Sequence, residues 1–357
     1  MRLLHPQADA DLSALWYRYR FLASYMVIGA LSLVLEVGIL HTLENGFGIA
    51  RLYAASVGVG CAVLTAYYLN ARFNFKIPPA KRWRAFRYFA LISAFSLALN
   101  YIFKSRLGAM GWSYEQSRIV TSGALFLIAY TLHRRYSFHD FKQVGVAVYV
   151  DRVEDIRGIW EKVGAYPNFI HVDLVDRTVA PDKEAPASNR AEVVRAFWPD
   201  KPVHVHVMSR TPSRWLPDLL PYADVIFVHL DLDEPIADVL HAIHQGRRKA
   251  GICVRVTESV DAVRPFLAEV KHILLLAIEN PGASGQVQNP DVREQIRELS
   301  RWTERGRLTV CVDGGVNEHN IGRLDVELAV SASSVLNSAD PRRQILRLQT
   351  SSAYEAP

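Results

Sequence analysis

His171, Asp173, His206 and Asp313 are the residues whose types could share one chemical task. His171 and Asp173 flank Val172 in the β-branched run 169–174. Residues two apart on a strand face the same way, so one strand offers an imidazole and a carboxylate together. His206 lies in the run 203–208, and Asp313 closes the run 308–313. Two imidazoles and two carboxylates form a donor set for one divalent ion of Zn, Fe, Mn or Co. Any one of them alone is an ordinary residue at a strand end. Convergence from three runs is what points to a metal centre.

The runs that would carry these residues form a series. Short β-branched runs fall at 146–150, 169–174, 203–208, 225–230, 252–256, 273–278, 308–313 and 328–331, separated by amphipathic helical stretches. Eight strand–helix units in about 210 residues predict an α/β fold, the (β/α)8 TIM barrel. A doubly wound open sheet is the alternative, but no Gly-x-Gly-x-x-Gly follows the first run. Barrel chemistry sits at the C-terminal ends of the strands, where backbone N–H groups also capture phosphate. Gly314-Gly315, directly after Asp313, and Ser333-Ser334, after the eighth run, are candidates for that role. Cys61, Cys253 and Cys311 lie far apart inside apolar runs and read as small buried hydrophobes.

Four motifs make this half resemble ribulose-phosphate 3-epimerases: His171-Val172-Asp173-Leu174-Val175-Asp176, Val205-His206-Val207-Met208, Asn280-Pro281-Gly282-Ala283-Ser284-Gly285-Gln286 and Val312-Asp313-Gly314-Gly315-Val316-Asn317. The resemblance covers about residues 145–350, in order. It implies a ribulose-phosphate-binding barrel that epimerises C3 of a pentulose 5-phosphate with a divalent metal. It also implies that Asp173 and Asp313 exchange the C3 proton from opposite faces while ligating the metal with His171 and His206. Gly282 and Gly285 of the Pro-Gly segment then join the phosphate-binding candidates. There are departures: Ala147-Val148-Tyr149-Val150 replaces a Ser-rich strand end, Arg177 replaces a Gly, Ala283-Ser284 replaces Phe-Gly, and Ala332 replaces a Gly. They imply a shifted substrate pocket. The alternative is a non-catalytic scaffold or sensor that only binds a sugar phosphate.

The first 143 residues are of another kind. They carry 16 Lys+Arg against 6 Asp+Glu, a net of +10, whereas the remainder carries 25 against 30, a net of −5. Four apolar stretches, at about 21–43, 52–69, 88–103 and 119–132, predict a domain of four transmembrane helices. So apolar a carrier of the positive charge excludes a nucleic-acid partner. No cleavable signal is evident. Arg72, Lys76, Lys81, Arg82, Arg84 and Arg87 between stretches two and three, and Arg134, Arg135 and Lys142 after stretch four, place both termini and the barrel on the cytoplasmic side of the inner membrane.

A repeat runs through this half. Ile28, Ala30, Ser32, Leu33 and Leu35 recur 64 residues later as Ile92, Ala94, Ser96, Leu97 and Leu99. Tyr67, Leu69, Arg72 and Phe75 recur 63 residues later as Tyr130, Leu132, Arg135 and Phe138. Two hairpins of one orientation are implied, an arrangement that puts sites at the repeat interface. Glu36, within the first stretch, has Asn100 as its counterpart. An acid at that depth is costly and points to function.

Tyr67-Tyr68-Leu69-Asn70-Ala71-Arg72-Phe73-Asn74-Phe75 and Leu132-His133-Arg134-Arg135-Tyr136-Ser137-Phe138 make residues 18–141 resemble the GtrA-like family. That family is associated with cell-surface polysaccharide synthesis and with moving or presenting polyprenyl-phosphate-linked sugars. The lipid or transport candidates are thus Glu36, Asn70, Arg72, Asn100 and Arg135. Arg72 and Arg135 serve equally as phosphate ligands or as positive-inside anchors. The expected domains are a membrane module over 1–141 and a cytoplasmic barrel over 145–350. The expected partners are a ketose phosphate, a polyprenyl-phosphate-linked sugar, the bilayer and a second copy in a homo-oligomer.

Overall fold

The computed structural model describes residues 12–75, 77, 82–112, 114–138, 142–148, 153–181, 190–279 and 285–351. The chain divides into two compact units, the first ending at Asp140 and the second running from Phe141 to Ser351. Each is taken by itself.

The first unit is helical: α1 (Leu12–His41), α2 (Arg51–Leu69), α3 (Arg82–Ala109) and α4 (Tyr114–Leu132). Among the described residues, three segments are long and apolar enough to cross a membrane: Tyr19–Gly46, Arg51–Asn74 and Arg82–Ala109. The fourth expected span falls outside that set. α4 has 19 residues and opens on the polar turn Tyr114-Glu115-Gln116-Ser117-Arg118, which shortens its apolar stretch. Val34, Leu52 and Leu91 are among the large apolar side chains left exposed, a surface that lipid rather than water would cover.

The repeat is present in three dimensions. α2 and α4 are each followed by a π-helical turn, Asn70–Asn74 and His133–Ser137, offset by 63 residues. The Phe75 N–H closes onto the Asn70 carbonyl at 2.8 Å, and the Phe138 N–H onto the His133 carbonyl at 2.8 Å. Phe75 and Phe138 then stack on each other, with ring centroids 4.4 Å apart. Tyr25 meets Tyr130 at 5.3 Å, and the equivalent pair, Phe89 with Tyr67, meets at 5.6 Å. The polar clamps match as well. Asn74 donates to Asn70 at 2.9 Å, and His133 Nδ1 bonds the Ser137 hydroxyl at 3.0 Å.

The second unit is a closed barrel of eight parallel strands, each paired to the next and β8 to β1. They are β1 (Gln143–Val148), β2 (Phe169–Val175), β3 (Val203–Met208), β4 (Val225–Val228), β5 (Lys249–Arg255), β6 (His272–Leu276), β7 (Thr309–Asp313) and β8 (Leu328–Ser331). The connecting helices are α5 (Val153–Val163), α6 (Arg190–Phe197), α7 (Leu216–Leu219), α8 (Ile236–Gln245), α9 (Val292–Ser300) and α10 (Ser333–Leu336), and α11 (Pro341–Gln349) ends the unit. Period-two alternation divides the core. Val144, Val146 and Val148 face the helices, as do Ile170 and Val172. Ala147, Phe169, Phe227, Cys253, Leu274 and Cys311 fill the barrel interior. Cys253 and Cys311 are buried free thiols, as their apolar surroundings in the sequence imply. Large and small residues interlock across this interior: a Cβ on Gly145 would lie 2.3 Å from the Phe169 ring, and one on Gly251 2.5 Å from the Phe227 ring.

Candidate active site

On β2 the inward positions are Phe169, His171 and Asp173. The aromatic ring plugs the barrel, and the two polar groups stand above it toward the C-terminal mouth. Register sets Asp173 of β2 beside His206 of β3, so neighbouring strands present a carboxylate and an imidazole at one level. His206 lies two residues before the end of its strand rather than at the end, while Asp313 does close β7. The His171 Nε2 and the His206 Nδ1 are each 3.3 Å from the same Asp173 oxygen. The His171 Nε2 is also 3.8 Å from an oxygen of Asp313. One ligand atom from each of the four residues lies within 4.8 Å of the others.

These atoms lack ordinary partners. Both nitrogens of His171, Nδ1 of His206 and Oδ1 of Asp173 are buried without a hydrogen bond. Buried polar atoms are nearly always paired, and several facing one point call for an ion among them. The spacing admits a divalent metal at ordinary ligand lengths of about 2.0–2.2 Å. The four residues therefore fit the group that their types suggest.

The two carboxyls differ sharply. Burial raises the Asp173 pKa, but the adjacent His171 imidazole, with help from His206, outweighs it and holds the group well below the usual range. Burial and then the Asp173 charge push Asp313 up to about 7, against a smaller lowering by His171. One carboxyl is thus held ionised, and the other is poised to keep a proton near neutrality, the arrangement of an acid–base pair.

Neighbouring groups fix the ligands. His206 presents Nε2 to the Nε2 of His229, 2.9 Å away, so one ring must donate and the other accept. The Arg190 guanidinium donates to the Asp173 carbonyl. Neither residue stood out in the sequence. His229 follows directly on β4, and the same inward parity that selects His171 and His206 would have found it. Asp176, the last member of the β2 motif, stands apart from the cluster. It accepts from the Trp215 Nε1 at 3.0 Å, from the Thr178 N–H at 2.9 Å and from the Ser209 hydroxyl, and so pins the turn after β2.

The phosphate candidates fare unequally. Gly285, Gly314, Gly315 and Ser333 line the cavity at the mouth, together with Asp173 and Asp313. Gly314 and Gly315 have φ of 106° and 63°, in the left-handed region that favours glycine. A Cβ on Gly315 would lie 2.2 Å from the Gln288 nitrogen, and one on Gly314 2.6 Å from the Ile278 side chain. Ser334 does not line the cavity; its hydroxyl accepts from Gln344 at 3.3 Å. Gly282 lies outside the described residues. Ala147 and Ala332, at two of the departures noted above, line the mouth too.

In the helical unit, Glu36 and Asn100 line one cavity. Asn70 is buried and donates to the Ala66 carbonyl at 2.9 Å. Arg72 and Arg135 occupy equivalent places in the two π-helical turns, both exposed.

Comparison with known proteins agrees with both units. Residues 151–336 match the model of the ribulose-phosphate 3 epimerase family. Residues 24–138 match that of the GtrA/DPMS transmembrane domain. The ribulose-phosphate 3-epimerase of Mycobacterium leprae is 28% identical over 204 residues, which are 55% of this chain and 88% of that protein. That of Bacillus subtilis is 28% identical over 200 residues, 54% of this chain and 89% of that protein. That of Escherichia coli is 24% identical over 189 residues, 51% of this chain and 83% of that protein. The chain therefore belongs to the ribulose-phosphate 3 epimerase family and carries a GtrA/DPMS transmembrane domain ahead of its barrel.

Proposed function

We propose that the barrel is a metal-dependent 3-epimerase of a ketose phosphate, with a pentulose 5-phosphate as substrate. The observation that carries this is the meeting of His171, Asp173, His206 and Asp313 at the mouth, with ligand atoms of the first three buried and unpaired. The hydrogen on C3 is acidified by the C2 ketone, and its removal leaves an enediolate. A divalent ion held by the four residues supplies electrostatic stabilisation of that developing charge. Asp173, held ionised, takes the C3 proton. Asp313, on the other side, returns a proton to the opposite face. The reverse epimerisation exchanges these roles. Gly314, Gly315 and Ser333 offer backbone N–H groups to the phosphate, and their place beside Asp313 sets the distance between the phosphate and C3.

The reading of the membrane unit rests on its exposed, equivalently placed arginines. Arg72 and Arg135 hold the phosphate of a polyprenyl-phosphate-linked sugar, and the unit presents or translocates that lipid for surface polysaccharide or glycolipid synthesis. Lys/Arg placement supports a cytoplasmic side for the barrel, where metabolite phosphates are found. A homo-oligomer is part of this reading.

The test uses purified full-length protein with Fe²⁺ or Zn²⁺ and ribulose 5-phosphate in deuterated water. Deuterium enters C3, and the xylulose epimer accumulates. If metal-loaded protein exchanges no C3 proton on any ketose phosphate, the catalytic reading fails.

A further inference from the structure

The helical unit contains a cavity of about 250 Å³ that the reading above leaves without a role. All four helices contribute to it. Glu36 comes from α1, Ser93, Ser96 and Asn100 from α3, while α2 and α4 give mainly apolar wall. Among the described residues, Tyr25 of α1 and His133, just after α4, are the other titratable groups on the wall, and no Lys or Arg lines it.

Glu36 and Asn100 are repeat equivalents at matching depth. Glu36 lies ten residues before Gly46, the end of its apolar segment, and Asn100 nine before Ala109, the end of its own. At 1.5 Å per residue these are about 15 Å and about 14 Å along the helices. Glu36 has no hydrogen bond or ion pair among the described residues. Its backbone is held closely: a Cβ on Gly58 of α2 would lie 2.9 Å from the Glu36 carbonyl oxygen. On the other side, the Thr121 hydroxyl lies 3.4 Å from the Asn100 Oδ1 and steadies the amide.

A carboxylate inside a bilayer must be neutralised, by a proton or by a cation, because hydrocarbon cannot solvate it. No basic side chain does so here. We propose that Glu36 and Asn100 form an exchangeable monovalent-cation site, for a proton or Na⁺, inside the chamber. One carboxylate balances one positive charge. The amide oxygen, the serine hydroxyls and water complete an oxygen shell, whereas a divalent ion would call for more carboxylates. The asymmetry of the repeat suits this role. One hairpin supplies the charge, and the other supplies a neutral oxygen at the same depth.

The inference rests on the unit's being a membrane domain and deepens its transport reading, but it fails separately from phosphate capture by Arg72 and Arg135. The test is labelling of full-length protein in phosphatidylcholine vesicles with dicyclohexylcarbodiimide, which reacts with protonated carboxyls in apolar surroundings. Modification is mapped by mass spectrometry, and Glu44, half-buried at the end of the same segment, serves as the internal control. Glu36 should be labelled well above Glu44, and labelling should fall as protons or Na⁺ are exchanged at the site. Added Na⁺ that protects Glu36 at fixed pH identifies Na⁺ as the ligand. A pH response without such protection identifies the proton. Asn100→Leu should shift the pH of half-labelling, and an unshifted profile overturns the paired site. Labelling of Glu36 no greater than that of Glu44, with no response to pH or Na⁺, overturns the whole proposal. Binding of polyprenyl phosphate by the same vesicles reports independently on the two arginines.

Discussion

The barrel mouth and the membrane chamber solve opposite problems with buried charge. At the mouth, two carboxylates and two imidazoles face one another with their ligand atoms within 4.8 Å. The fold tolerates that concentration because His171 offsets Asp173, and because a cation is expected among them. In the chamber a single carboxylate, Glu36, looks across an open volume at a neutral amide. The first arrangement is preorganised for one ion in one geometry and is locked by β-sheet register. The second is roomy and weakly specified, the condition that exchange requires. The contrast teaches that a tight site and a labile site are distinguished less by residue type than by how many neighbours hold each ligand.

The largest expected effect breaks the tight side. Asp313→Asn preserves shape but removes both an acid–base group and an anionic ligand. Loss of a positioned acid or base costs about 10²–10⁴ in rate, and weaker metal retention adds to this. C3 deuterium exchange and metal content after dialysis, measured on the same samples, separate the two contributions. Retention of near-normal exchange would mean that Asp313 is a spectator and that the mouth is not organised as described.

The labile side should respond more gently. Replacing both Arg72 and Arg135 by Gln removes two charges, each worth about 1 kcal/mol near an anionic headgroup, so polyprenyl-phosphate affinity should fall about 30-fold by the usual conversion. Lipid binding to protein in nanodiscs at low and high salt measures it. If affinity is unchanged, the arginines are orientation anchors, and only Glu36 and Asn100 distinguish this unit from a plain membrane anchor.

How far each region could be read in the sequence follows from its geometry. A strand has period two, so His171-x-Asp173 alone fixed a shared face, and the eight runs fixed the barrel. His229 lies inside the run 225–230 and shares the inward parity of Phe227, but no short motif around it drew attention to it, although the observed strand ends one residue earlier, at Val228. Sequence adjacency of Ser333 and Ser334 does not reveal that only the first lines the mouth while the hydroxyl of the second turns to Gln344. In the helical unit the repeat located equivalent positions without showing what they touch. That Glu36 and Asn100 share a chamber depends on how four helices cross, and periodicity does not encode it.

The smallest expected effect sharpens the comparison inside the repeat itself. Asn74 and Ser137 hold equivalent places, yet they do different amounts of structural work. The Asn74 amide donates to Asn70 at 2.9 Å within its own turn and also to the Phe21 carbonyl of α1 at 3.1 Å. Ser137 bonds only the His133 ring among the interactions described, within its own turn. Polar contacts between membrane helices contribute on average about 0.6 kcal/mol each. Asn74→Ala should therefore destabilise the helical unit by about twice as much as Ser137→Ala, because it also releases the tie between the α2 exit and α1. Thermal unfolding of the full chain in detergent, followed by a probe confined to the helical unit, makes the measurement. The Phe21 ring stacks on Phe75 at 5.7 Å beside this tie, so the loss should also loosen that pair. The Phe75–Phe138 stack sits one ring further on and should loosen less. Equal destabilisation by the two substitutions would mean that the inter-helix bond contributes nothing, and that the Phe21–Phe75 stack holds the α2 exit to α1 without it.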